Sequence, residues 1–228
     1  MNKSKPPLLE VCIDTLAAAQ SAIRGGAGRL EVCGDLSIGG VTPGRALVEK
    51  IQSICDLPLA MMIRPRAGDF VYSATEIETM LESIRLAKEL GVESVVLGVL
   101  DSEGYVDRAV LGRLITAAEP LDIVFHRAFD ECANPQATLD YLMQVGVDRL
   151  LTSGQQPTAA LGIPLLRSLV EQADSRLTIM PGAGIDAQNI RDIAISVGAT
   201  AYHGSCKGST SSTDAAEVRA IVRQLAVL

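Results

Sequence analysis

Short apolar or alternating runs punctuate the chain at positions 8–13, 29–33, 58–64, 94–97, 122–126, 149–153, 177–180 and 200–203. Each is too short for a core helix, and all but the last, Thr200–His203, are rich in Leu, Ile, Val or Met, which predicts strands. Between them lie longer stretches whose apolar residues recur at three- and four-residue steps. In one of these, Ile77, Met80, Leu81, Ile84 and Ala87 fall on a single helical face. Capping residues stand where such helices must begin and end. Asp14 is expected to cap the first helix, which stops at Gly25 and Gly26. Thr42-Pro43 and Asn134-Pro135 each read as an N-cap followed by Pro, and Thr75-Glu76-Ile77-Glu78 fits a capping box. A last helix is expected over 214–228.

A motif repeats before every second strand: Gly, a small residue, a variable residue, then the strand. Its copies are GAGRLEVC (26–33), GVESVVLG (91–98), GVDRLLTSG (146–154) and GATAYHGS (198–205). Each opening Gly falls where a helix ends and a left-handed cap is useful. A βαβα unit repeated four times predicts an α/β fold of the (β/α)8 TIM barrel type. The rival is an open doubly wound sheet, which usually carries a Gly-rich phosphate turn after its first strand. Here that position reads Asp14-Thr15-Leu16, so the barrel is preferred. No linker or low-complexity stretch interrupts the pattern, and residues 1–228 are expected to form a single domain.

Composition narrows the function. The formal net charge is −7, with no run of Lys or Arg, which argues against nucleic acid as a partner. No segment approaches the ~18 uninterrupted apolar residues of a membrane span, and the start MNKSKPPLLEVCID lacks the pattern of a signal peptide. Five cysteines, an odd number with no CxxC, are no disulfide framework and point to a reducing, cytoplasmic setting.

In a barrel, chemistry sits at the C-terminal ends of the strands. There stand Glu10 with Cys12, Glu31 with Cys33, Arg64 with Arg66, His126 with Arg127, Thr152 with Ser153, and His203 with Ser205. Any one of these can be a structural ion-pair partner, but so many ionisable groups at one barrel mouth read as a site. Glu10, Glu31, Arg64, His126, Arg127 and His203 are therefore candidate catalytic residues. A base from Glu10, Glu31 or His126 would act on an anion held by Arg64 and Arg127. Gly182, Gly184, Gly204 and Ser205 follow the last two strands, where many barrels bind phosphate through backbone N–H groups. The same glycines also suit tight turns. Arg85, Lys88 and Glu89 belong to a solvated helix surface.

The segments MIRPRAGDF (62–70), VFHRAFDE (124–131) and LLTSG (150–154), with the two EVC triplets at 10–12 and 31–33, resemble the CutC family. The likeness runs from about residue 8 to 206. Ala67 stands where the family often has a second Gly, and Val124 where Thr is common. The resemblance implies a cytoplasmic, homodimeric barrel serving copper homeostasis, with Cys12 and Cys33 similar to thiols proposed as its Cu(I) ligands. Residues two apart in a strand share a face, so Glu10 points with Cys12 and Glu31 with Cys33. In matching register the two sulfurs would approach to roughly 4–6 Å, given the spacing of neighbouring strands. That suits Cu(I), although buried Cys also serves as a small hydrophobe. The alternative is an enzyme, a lyase, isomerase or hydrolase, acting on a small anionic metabolite, phosphorylated or not.

Overall fold

A computed structural model describes residues 6–209 and 211–228. The first five residues, part of the start read as lacking a signal peptide, lie outside the described residues. Strands β1 (Leu8–Ile13), β2 (Arg29–Val32), β3 (Leu59–Met62), β4 (Ser94–Leu97), β5 (Asp122–Phe125), β6 (Arg149–Thr152), β7 (Thr178–Pro181) and β8 (Ala201–Gly204) alternate with eight α-helices. These are α1 (Leu16–Gly25), α2 (Arg45–Gln52), α3 (Ala74–Leu90), α4 (Arg108–Ala118), α5 (Pro135–Gln144), α6 (Ile163–Ala173), α7 (Ile190–Val197) and α8 (Ala215–Leu225). The strands are parallel and ordered β7-β6-β5-β4-β3-β2-β1-β8, with β7 and β8 meeting to bring the ring close to closure. This is the expected (β/α)8 barrel. No helix among the described residues is long and apolar enough to cross a membrane.

The repeating glycines do what the pattern required. Gly26, Gly91, Gly146 and Gly198 all adopt positive φ, between +66° and +93°, where the preceding helix stops. Three helix starts differ from expectation, two of them because a side chain has other work. Thr15 caps α1, while the Asp14 carboxylate accepts the Leu36 N–H from the loop after β2. Gly44 precedes α2, and Thr42 bonds through its backbone N–H and its hydroxyl to the Arg64 main chain. Ser73, not Thr75, forms the capping box with Glu76. Asn134 and Pro135 start α5 as expected.

Alternation along the strands separates two cores. Leu9, Val11 and Ile13 of β1, Leu30 and Val32 of β2, and their counterparts face the helices in one large apolar layer. Ala60, Met62, Val96, Val124, Leu151, Met180 and Ala201, with Cys33, fill the lumen. Polar side chains enter the lumen at two levels. At the lower one, the Arg29 guanidinium reaches Glu10 at 3.0 Å and also hydrogen-bonds Ser94. At the upper one, the strand ends open into the candidate site.

Candidate functional site

A cavity of ≈220 Å³ opens at the C-terminal mouth of the barrel. Cys12, Glu31, Arg64, His126, Arg127 and His203 all contribute to its wall, so five of the six proposed catalytic residues share one space. Glu10 is the exception. It is fully buried beneath the mouth, paired with Arg29, and does not reach the cavity. Burial raises its carboxyl above the ordinary range, with Arg29 and then His203 pulling it back. The structure thus places Glu10 below the mouth, apart from the other five candidates.

The register of β1 and β2 decides the thiol geometry. Glu10 pairs with Arg29 and Cys12 with Glu31, a shift of two residues from the matching register that would have set Cys12 beside Cys33. Closing tilted strands into a barrel demands such stagger, so equivalent residues of neighbouring strands are not level. The Cys33 thiol instead donates to Glu31 Oε2 at 3.5 Å. Burial, then the nearby Glu31 charge, pushes that thiol well above its usual range. The compact group of potential metal ligands is Cys12, Glu31 and His203, whose donor atoms all lie within 4.8 Å of one another. His203 Nε2 sits 3.0 Å from Glu31 Oε2 and 3.9 Å from Glu10 Oε1. Burial alone would lower the His203 pKa, but Cys12 and Glu31 outweigh it and hold the imidazole well above 6.5. Glu31 moves the other way, below its ordinary value. Burial would raise it, and charged His203 overcomes that. Gly182 makes this packing possible: a Cβ there would stand 2.6 Å from Leu151 and 3.3 Å from His203 Nδ1.

The far wall is built differently. His126 follows β5 and caps a short 3₁₀ turn, Arg127–Glu131, by accepting the Ala128 N–H on Nδ1 at 3.1 Å. With Nδ1 used as acceptor, the neutral ring must carry its proton on Nε2. Burial, then the Arg64 charge, pushes its pKa down to about 4, so the ring is neutral near pH 7. Gly98 supplies the room, since a Cβ there would lie 2.5 Å from His126 Nδ1. Arg64, at the end of β3, is held by the carbonyls of Gly40 and Gly68 and stacks over Phe70 at 5.0 Å. Phe70 in turn meets the His126 ring at 4.9 Å. Among the described residues no carboxylate lies within ion-pair distance of Arg64. Arg66 turns aside, to Asp69 and Glu76.

Asp130, not singled out by strand-end reasoning, organises the rim. It accepts the Ser153 and Gln155 backbone N–H groups and the Thr152 and Ser153 hydroxyls, and it pairs with Arg127 at 2.8 Å. Its signal was present in the VFHRAFDE segment, three residues after Arg127. The expected glycine-loop anion site is divided. Gly184, Gly204 and Ser205 border a neighbouring cavity of ≈340 Å³ with Lys207, but Asp186 and Glu217 share its wall. Asp214 caps α8 through the Ala216 N–H, so a carboxylate already occupies that helix start. Gly182 faces the lumen instead.

A TIM barrel with an ionisable cavity at the C-terminal mouth defines the class: an α/β barrel whose site is formed by the strand ends. Its fold is shared with distant barrels such as a phosphoribosylanthranilate isomerase from Thermotoga maritima, 13% identical, with a TM-score of 0.63 over 97% of this chain and 100% of that one. The chain belongs to the CutC family, whose model matches residues 7–208. It is 46% identical over 200 residues to a family protein CutC of Pasteurella multocida, covering 88% of this chain and 82% of that protein. It is 42% identical over 205 residues to the human copper homeostasis protein cutC homolog, covering 90% and 75%. A crystal structure of CutC from Streptococcus agalactiae superposes with a TM-score of 0.83 at 32% identity, over 87% of this chain and 98% of that one.

Proposed function

We propose that the chain serves copper homeostasis by holding one Cu(I) at the barrel mouth, with Cys12 and His203 as the principal ligands. The observation that carries this reading is the compact Cys12–Glu31–His203 group. A thiolate and an imidazole are the donors a soft monovalent ion prefers, and Cu(I) accepts low coordination. Binding would displace the proton that His203 shares with Glu31, leaving that carboxylate to balance the ion's charge. Cys33 is the second thiol of the pair, held behind Glu31 by its hydrogen bond. The human relative's name supports the copper assignment. Five unpaired cysteines support a reducing, cytoplasmic site of action. Following the family resemblance, we take the working unit as a homodimer of single-domain chains, to be checked by light scattering at micromolar concentration.

The experiment is competition against a calibrated Cu(I) chelator under reducing conditions. Cys12→Ser and His203→Gln should each weaken Cu(I) binding at least tenfold, and Cys33→Ser less. Wild-type affinity in both Cys12→Ser and the double Cys12→Ser/Cys33→Ser variant would end the copper reading.

A further inference from the structure

The Cu(I) reading uses one wall of the cavity and leaves the other without a role. That other wall holds two buried donor groups with no hydrogen-bond partner among the described residues. These are the Nε2 of His126, which is 3% exposed, and the Nε of Arg64, which is 7% exposed. A buried donor left unsatisfied is costly, and a buried guanidinium without a counter-charge is more so. A fold that keeps both beside an open cavity has a ligand's oxygens as their natural complement. The two donors differ in a telling way: one is a permanent cation, the other a neutral N–H fixed in its tautomer by the Ala128 backbone. They flank a single ring, Phe70, at 5.0 and 4.9 Å, so they address neighbouring points.

We propose that the cavity is a binding site for a small 2-oxo or 2-hydroxy carboxylate, its carboxylate on Arg64 and its neutral oxygen on the His126 Nε2–H. A guanidinium matches a carboxylate in charge and shape. A neutral imidazole N–H polarises a carbonyl without offering a second positive charge, and the low His126 pKa keeps it in that form. The cavity is ≈220 Å³, below the ~300 Å³ at which drug-sized sites begin, which sets the ligand at a few carbons. Met62, Leu36 and Leu151 give it an apolar side. Besides Arg64, Arg127 and Lys207 reach the cavity wall. Arg127 is already paired with Asp130, while Glu31 stands on the opposite wall, so a compact singly charged ligand fits better than a multiply charged phosphate ester.

The test uses the copper-free full chain, titrated by calorimetry with pyruvate, acetate and inorganic phosphate. Pyruvate should bind with a Kd tighter than about 10 mM, and acetate, which lacks the second oxygen, distinctly more weakly. Arg64→Gln and Arg64→Lys, each checked for folding by circular dichroism, should weaken pyruvate on the order of tenfold to a hundredfold. His126→Phe should reduce pyruvate to the level of acetate, and His126→Asn, which keeps an N–H donor, should recover part of the loss. Because every titration is run without copper, the outcome for pyruvate and the outcome of the Cu(I) competition are read independently, which separates this site from the Cu(I) reading. Equal binding of pyruvate and acetate, phosphate binding without pyruvate binding, or wild-type affinity in folded Arg64 variants would each overturn the proposal.

Discussion

The chain's two histidines stand in the wall of one cavity and are held in opposite charge states. His203 rises from β8 into a nest of Cys12, Glu31 and Glu10, where negative charge keeps it protonated. His126 follows β5, gives Nδ1 to a backbone N–H and lies near Arg64, where burial and positive charge keep it neutral. Both are buried, so burial alone explains neither. The sign of the neighbouring charge and the partner of one ring nitrogen decide the outcome. The consequence is a mouth with two kinds of wall: an acidic, thiol-bearing one suited to a cation, and a cationic, donor-bearing one suited to an anion.

The contrast breaks most severely at Glu31. Glu31→Gln leaves charged His203 without its 3.0 Å partner, and removing one member of a buried pair typically costs about 3–5 kcal/mol. Glu10, 3.9 Å away, should keep the cost toward the lower end. Urea denaturation at pH 7 measures the loss, and NMR titration should place the His203 pKa lower than in the wild type. An unchanged midpoint would mean the pair contributes nothing net.

Titration sharpens the contrast next, because the two histidines bend stability in opposite directions with pH. The His126 pKa is depressed, so the unfolded chain binds the extra proton. Its contribution is present above the unfolded value of about 6.5 and is lost as pH falls toward about 4. That shift corresponds to about 3 kcal/mol across the window. The His203 pKa is raised, so its contribution is full below about 6.5 and fades as pH climbs through its folded value. Denaturation from pH 4 to 7 should show a positive slope that flattens in His126→Phe and survives in His203→Gln. The same slope in all three proteins would refute the assignment.

A smaller effect is expected where glycine makes room. Gly98→Ala would place a Cβ 2.5 Å from His126 Nδ1 and tilt the ring off the Ala128 N–H. Overpacking of this kind costs about 1–3 kcal/mol. The His126 NMR signals should move while those of His203 stay in place. The smallest effect belongs to Cys33→Ala, which removes one thiol hydrogen bond to Glu31 and should lower stability by about 1 kcal/mol. A loss several times larger would show that Cys33 does more for Glu31 than the 3.5 Å contact implies.

What the chain's letters determined by themselves was local. The strand runs, the helix faces and the four Gly-small-x repeats require only neighbours in sequence, so the eight βα units and the left-handed glycines could be read directly. The strand-end polar residues followed, because a barrel makes its mouth from those positions. The misread helix starts mark where this reasoning stops. Asp14 and Thr42 are good caps locally, yet each spends its hydrogen bonds on a loop or strand end far along the chain. Tertiary structure alone decided the rest. Ring closure set the stagger that puts Cys12 opposite Glu31 rather than Cys33, and sank Glu10 onto Arg29 below the cavity. The charge of each histidine depends on burial and on groups brought close from other strands, such as Glu31 for His203 and Arg64 for His126. Periodicity is a property of short segments; register, burial and electrostatic field exist only once all eight strands are in place.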